Sequence, residues 1–189
     1  MEMNEILLIV IILFVFLTLI EVILSKIKKT RYNQLMYLLM KQNFNEFDEL
    51  LEKKSTKFFV PVYNSIFLRV NKAMMMNDSN SFDKLMNDAK KINMNDSQKL
   101  HLYSKAFSFY LSLGKKNDCE EYYQKIMKCN DCPTKEYIEM VYDTLIKKSY
   151  QYIEKAESML VTAAVEDKEN LRYLIDAMYA NKRIVFNQK

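Results

Sequence analysis

The side chains that most often perform catalysis or bind metals are scarce in this chain of 189 residues. Its one histidine, His101, lies in a predicted helix without an acidic or cysteine partner at ligand spacing. Its one glycine is too few to form a phosphate-binding P-loop, a dinucleotide fingerprint or a nucleophile elbow. We therefore predict that the protein is not an enzyme and that it has no catalytic site and no cofactor.

The spacing Cys129-x-x-Cys132 is found in zinc sites and in thioredoxin-type redox pairs. A zinc site needs further ligands, and Cys119 and His101 supply only loosely spaced ones. A redox pair of this kind needs a βαβ context, which the sequence does not offer. Inert cysteines in a turn are therefore the favoured interpretation, with no metal site predicted. A membrane-tethered thiol or metal-binding protein is the least favoured alternative.

The composition predicts an all-α protein. One glycine and two prolines leave almost no material for hairpin turns, whereas the periodic segments are rich in leucine, methionine, lysine and glutamate. Residues 32–189 hold 24 lysines and arginines against 21 aspartates and glutamates, so no concentrated basic character is present. We therefore predict that the protein binds no nucleic acid.

An apolar run occupies residues 6–24, from Ile6 to Leu24, with Thr18 and Glu21 as its only polar members. A helix of this length spans roughly 28 Å, close to the thickness of a bilayer core. No basic start or small-residue cleavage site marks a signal peptide. The run predicts a single-pass anchor in the cell membrane.

Charges flank this run unequally. Glu2 and Glu5 precede it, and a basic cluster follows, consisting of Lys26, Lys28, Lys29 and Arg31. The positive-inside rule then predicts an N-terminus outside the cell and a cytoplasmic C-terminal domain. We expect residues 1–29 to form the anchor with its juxtamembrane segment and residues 30–189 to form one helical domain.

The predicted helices of this domain repeat. The segments FDELLEKK, FDKLMNDA, CEEYYQKI and AESMLVTA begin at residues spaced by 35, 37 and 37 positions, namely Phe47, Phe82, Cys119 and Ala156. Such a period is typical of stacked pairs of antiparallel helices. An irregular helical bundle is the alternative architecture.

From Tyr103 to Met127 the chain reads Y-x2-AF-x2-Y-x-SLG-x4-C-x3-Y-x2-IM. A glycine after the first helix, a small residue five positions later and an aromatic four after that resemble the tetratricopeptide repeat (TPR). The resemblance covers about residues 30–182 in four degenerate units, with a capping helix over residues 169–182. Arg69 departs from the pattern, which has a core residue there. The resemblance implies a TPR-like α-solenoid.

In TPR proteins the first helix of each pair lines a groove that binds extended peptides or partner helices. The resemblance therefore implies a membrane-anchored adaptor or scaffold that binds a protein or peptide partner. The candidate groove residues are Asn64, Phe67, Asn71 and Met74 in one unit and His101, Ser104, Ser108 and Leu111 in the next. The alternative is a structural subunit of a membrane complex, which would expose a large apolar patch when isolated.

Overall fold

The computed structural model describes the backbone of residues 3–187 and the side chains of residues 11–187. Within these residues the chain forms α-helices and no β-strand, which confirms the all-α fold class. The helices are α1 (Met3–Met40), α2 (Phe44–Glu52), α3 (Lys54–Phe59), α4 (Val62–Met75), α5 (Ser79–Ala89), α6 (Asp96–Ser112), α7 (Lys116–Met127), α8 (Pro133–Leu145), α9 (Ile153–Thr162) and α10 (Val165–Asn187).

Backbone contacts divide the chain into two compact units. The first ends at Asn93 and contains α1 to α5, and the second begins at Met94 and contains α6 to α10. The boundary predicted between residues 29 and 30 stays a prediction, and α1 passes through that point without interruption.

The two parts of helix α1 differ in the exposure of their apolar side chains. Between residues 11 and 23 every apolar side chain is exposed, and Phe14 is 67% exposed. Further along the same helix, Leu35 and Leu39 are only 0% and 4% exposed and belong to the core of the first unit. The other members of this core are Phe47 and Leu51 of α2, Val60, and Leu68 of α4.

Within the part of the chain that the structure describes, no helix has both the length and the apolarity of a membrane span. The predicted anchor starts with residues 6–10, whose side chains lie outside the described residues. The anchor therefore stays a prediction.

A break at Val60 and Pro61 separates α3 from α4. Pro61 is the cause, because the residue before a proline is disfavoured in the helical region. Val60 accordingly adopts an extended conformation (φ −94°, ψ 118°), and Pro61 becomes the residue that precedes α4. The chain bends here, and Val60 is buried in the core of the first unit.

The same turn ends α1, α4 and α6. After α1, Gln42 adopts a left-handed conformation, and its N–H donates to the Leu39 carbonyl while the Asn43 N–H donates to the Leu38 carbonyl. These are the two hydrogen bonds of a Schellman motif. After α4 and α6 the left-handed residues are Asn77 and Gly114. The corresponding N–H groups of Asn77, Asp78, Gly114 and Lys115 donate to the carbonyls of Met74, Ala73, Leu111 and Tyr110, respectively.

Four helices of the chain have a buried residue at the same position. Phe47, Phe82, Cys119 and Ala156 are each the fourth residue of their helix, α2, α5, α7 and α9 respectively, and none is more than 1% exposed. The spacing found in the sequence therefore marks equivalent buried positions in four helices. Capping side chains stabilise the starts of α5 and α6. The Asp78 carboxylate accepts from the Ser81 N–H, and Asn95 forms a capping box with Gln98.

The turn between α8 and α9 is different, because side chains hold it. Lys148 is left-handed there, and the buried carboxylate of Asp143 accepts hydrogen bonds from Gln151 Nε2 (3.2 Å) and Tyr152 OH (3.4 Å). From α10, Asn181 Nδ2 donates to the carbonyls of Thr144 (2.9 Å) and Ser149 (3.1 Å). Helix α10 thus stabilises the turn as well as covering α8 and α9.

Replacing Gln42 with glycine should stabilise the protein by about 0.5–1 kcal/mol. A left-handed conformation costs a residue with a Cβ roughly 1–2 kcal/mol, and the larger backbone entropy of glycine in the unfolded chain offsets part of the gain. Thermal unfolding of the full chain in a non-ionic detergent measures the change. In the control, Glu49→Gly at an exposed position inside α2 should destabilise by about 1 kcal/mol. Equal destabilisation by both variants would contradict the turn assignment.

Asn181→Ala should destabilise the protein by roughly 2 kcal/mol, because two carbonyls of the α8–α9 turn lose their donor. The same thermal unfolding measurement applies. Asn170→Ala, at an exposed position of the same helix, should change stability by less than about 0.5 kcal/mol. If Asn181→Ala were equally neutral, the turn would not depend on α10.

Candidate functional site

The candidate groove residues of the first unit share one face of α4. Asn64, Phe67, Asn71 and Met74 follow one another at three- and four-residue intervals, and all four are half-buried. The buried residues Leu68 and Ala73 of α4 flank this stripe on either side, with Leu68 four residues after Asn64. The four residues therefore form a half-buried stripe that borders the core of the unit.

Two contacts hold this stripe in place. The Phe67 ring stacks on the Tyr63 ring, with centroids 5.9 Å apart and planes at 25°. The Asn71 side chain donates to the Phe67 backbone carbonyl at 2.9 Å. Phe67 thus has a defined orientation while part of its ring stays accessible, which suits an anchor for a partner side chain. One donor of Asn71 is used within the helix.

The candidate residues of the second unit lie on α6. His101 and Ser108 are exposed, whereas Ser104 and Leu111 are half-buried. Ser104 Oγ donates to the Leu100 carbonyl at 2.7 Å. The buried residues of α6 lie outside this stripe: Leu100, Leu102, Ala106, Phe107, Phe109 and Tyr110.

Stacked tyrosines hold α6, α7 and α8 of the second unit together. Tyr123 of α7 stacks on Tyr142 of α8 with centroids 3.9 Å apart and planes at 8°. Tyr110 of α6 stacks on Tyr122 of α7 at 5.6 Å. The Lys125 ammonium lies 4.4 Å from the centroid of the Tyr122 ring. These aromatic pairs fix the position of the α6 face.

A charged cleft of about 610 Å³ in the first unit is a feature that the sequence interpretation missed. Ion pairs cross it from α4 to α2, one between Arg69 and Glu52 and one between Lys72 and Asp48. Lys57 also pairs with Glu52, and Lys57 and Arg69 together lower the pKa of Glu52. Lys84 and Asp88 of α5 complete the lining.

The cleft explains the position of Arg69. The TPR pattern has a core residue there, but Arg69 is half-buried and directs its guanidinium to α2. Exposed ion pairs of this kind contribute little to stability because solvent screens them, so they orient α2 relative to α4 without holding the two helices together. A signal was present in the sequence: Asp48 and Glu52 are four residues apart, and Arg69 and Lys72 three, so each pair lies on one helix face.

Cys119 and Cys129 occupy environments that suppress thiolate formation. Cys119 is buried and donates its Sγ–H to the Phe107 carbonyl at 3.8 Å, and burial raises its pKa to about 11. Cys129 is also buried, its Sγ–H donates to the Lys125 carbonyl at 3.6 Å, and burial raises its pKa. Cys132 is half-buried and immediately precedes α8. Within residues 11–187, no three histidine, cysteine or acidic side chains form a group that could hold a metal ion.

Comparison of the chain with protein-family models, with characterised proteins and with solved structures finds no significant match. The TPR resemblance therefore depends on the residues of this chain alone.

The three thiols should differ in reactivity. At about pH 8 only about one Cys119 thiol in a thousand is ionised, so Cys119 and the buried Cys129 should react with Ellman's reagent only after unfolding. Cys132 should react in the folded protein. In the control variant Cys132→Ser the fast phase should disappear. Rapid reaction of all three thiols would contradict the burial of Cys119 and Cys129.

Proposed function

We propose that the protein is a membrane-anchored, TPR-like adaptor that binds a protein or peptide partner at the cytoplasmic face of the cell membrane. The observation that carries this proposal is the continuity of α1. One helix contains the exposed apolar segment and also supplies Leu35 and Leu39 to the core of the first unit. The segment and the helical domain are therefore physically coupled.

The exposure of the apolar segment supports a membrane environment. No apolar side chain of residues 11–23 is covered by the rest of the chain, and an exposed apolar surface of this length is unfavourable in water. Together with residues 6–10 the segment has the length of a bilayer core. Glu21 lies near its end, within reach of the headgroups.

The flanking charges support the orientation. The basic cluster follows the segment directly, whereas the residues before it include Glu2 and Glu5. Lysines and arginines are retained on the cytoplasmic side of a membrane, where anionic lipids stabilise them by about 1 kcal/mol each. The helical domain then lies in the cytoplasm.

The helix pairs support a TPR-like architecture. Three Schellman turns and four equivalent buried positions recur at a spacing of 35 to 37 residues. Stacked pairs of this size present the accessible faces of their first helices to a partner. The accessible stripes on α4 and α6 are such faces.

A structural subunit of a membrane complex is the second candidate. Several large apolar side chains of the second unit are exposed, among them Val161, Val165, Tyr173, Ile184 and Phe186. A permanent partner would cover such residues. An adaptor should exchange its partner when unlabelled competitor is added, whereas a structural subunit should not.

Phe67→Ala should weaken partner capture by about 30-fold, which corresponds to the roughly 2 kcal/mol lost at a central anchor. Tagged full-length protein is cross-linked in native membranes, and the captured proteins are compared between wild type and variant. Helix content should be unchanged, because Phe67 is only half-buried.

The control is Tyr37→Ala, which removes an aromatic ring at a more exposed site of the same unit. It should leave capture unchanged. Unfolding of the Phe67→Ala variant would assign Phe67 to the core. Undiminished capture by a folded variant would place the binding surface elsewhere.

A further inference from the structure

Helix α3 lies at the end of the first unit that is nearest to the basic cluster. The turn at residues 41–43 joins α1 to α2, and the two helices pack side by side, so α2 runs back along α1. Lys53, at the end of α2, accordingly lines the same cleft as Arg31 of α1. Helix α3 follows at once and packs against both helices.

The start of α4 lies at the same level. Helix α4 contacts α1, and Tyr32 of α1 packs against the core cluster that contains Val60 and Leu68. Residues 53–63 therefore pass over the part of the first unit that is next to residues 31 and 32. The opposite end of the unit is formed by the turns at Gln42 and Asn77.

One side of the α3 segment is buried and the other is unusually exposed. Thr56 and Val60 are buried, whereas Phe58 is 78% and Val62 64% exposed. Lys53 and Lys54 are exposed beside them, and among the described residues no ion pair involves either lysine. We name Lys53, Lys54, Phe58 and Val62 the α3 surface.

This combination of an aromatic ring, an aliphatic side chain and unpaired lysines matches the chemistry of a membrane interface. Apolar side chains enter the boundary between headgroups and acyl chains, and lysines bind anionic headgroups. Arg31 lies about 10 Å along the helix from Leu24, and the headgroup layer is roughly 5–8 Å thick. Lysines at the level of Arg31 are therefore within about one Debye length of the lipid charges.

We propose that the α3 surface is a second membrane contact, which binds the anionic lipid headgroups next to the point where α1 leaves the bilayer. This inference depends on the proposed anchor, because the anchor brings the first unit to the lipid. With two contacts, the first unit has a fixed tilt relative to the plane of the membrane. The stripe on α4 is then held in one direction relative to the membrane.

The chain contains no tryptophan, so Phe58→Trp introduces a single fluorescent reporter at the centre of the α3 surface. The full-length variant is reconstituted in phosphatidylcholine vesicles with and without about a third phosphatidylserine. We expect the tryptophan emission to shift to shorter wavelengths, and brominated lipids to quench it, only in the phosphatidylserine vesicles. Adding Lys53→Glu and Lys54→Glu to this variant should abolish the shift.

Tyr37→Trp is the matched control, because Tyr37 is an exposed aromatic residue of the same unit about 9 Å farther along α1 than Arg31. Its emission should be the same in both kinds of vesicle. Equal emission of Phe58→Trp in both vesicles, or an equal shift in both, would overturn the anionic contact. A shift that requires added cytosolic protein would assign the α3 surface to a protein partner and overturn the lipid contact.

Extraction with alkaline carbonate separates this inference from the proposed anchor. If the protein resists extraction and Phe58→Trp shows no shift, the anchor stands and the α3 contact fails. If carbonate releases the protein and the phosphatidylserine-dependent shift persists, the anchor fails and the α3 surface is a peripheral lipid-binding site. Release without a shift overturns both.

Discussion

The burial of Leu35 and Leu39 is the interaction on which the first unit depends. These two leucines bring α1 into contact with α2 and α4 and fill the centre of a core that also contains Phe47 and Leu68. Each contributes roughly 1.5–3 kcal/mol by leaving water. Because they belong to the same helix as the apolar segment, packing of the unit also determines the direction in which that segment leaves it.

The turns show two ways of reversing a helical chain. At Gln42, Asn77 and Gly114 the backbone satisfies its own carbonyls, and the local conformation alone sets the geometry. Between α8 and α9 the Ser149 N–H donates to the Asp143 backbone carbonyl, and the side chains of Asp143 and Asn181 add further hydrogen bonds. The first three turns are therefore closed by local bonds, whereas the last one is also bonded to α10.

Much of the helical architecture could be predicted because its signals are local. The scarcity of glycine and the abundance of leucine, methionine, lysine and glutamate predicted the helices, and Gly114 marked a helix end. Gln42 gave no such signal, because glycine and asparagine, not glutamine, are typical of the left-handed position at a helix end. The break at Pro61 is ambiguous in the sequence, because proline is favourable in the first turn of a helix and also disfavours a helical conformation in the residue before it.

The candidate site was partly predictable. Helical spacing placed Asn64, Phe67 and Asn71 on one accessible stripe, since that property follows from periodicity. To predict the ion pairs across the charged cleft, one must know which helices are neighbours. Helical spacing within a single sequence does not show this.

Because α1 is unbroken, the number of residues in it determines how the first unit is rotated relative to the apolar segment. Each residue of an α-helix advances the chain by 1.5 Å and turns it by about 100°. The number of residues between Leu24 and Leu35 therefore determines two quantities. One is the rotation of the first unit about the helix axis relative to the apolar segment, and the other is the distance between them. Insertion of one residue in this stretch would rotate the unit by more than a quarter of a full circle, whereas insertion of seven would nearly restore its rotation and increase the distance by about 10 Å.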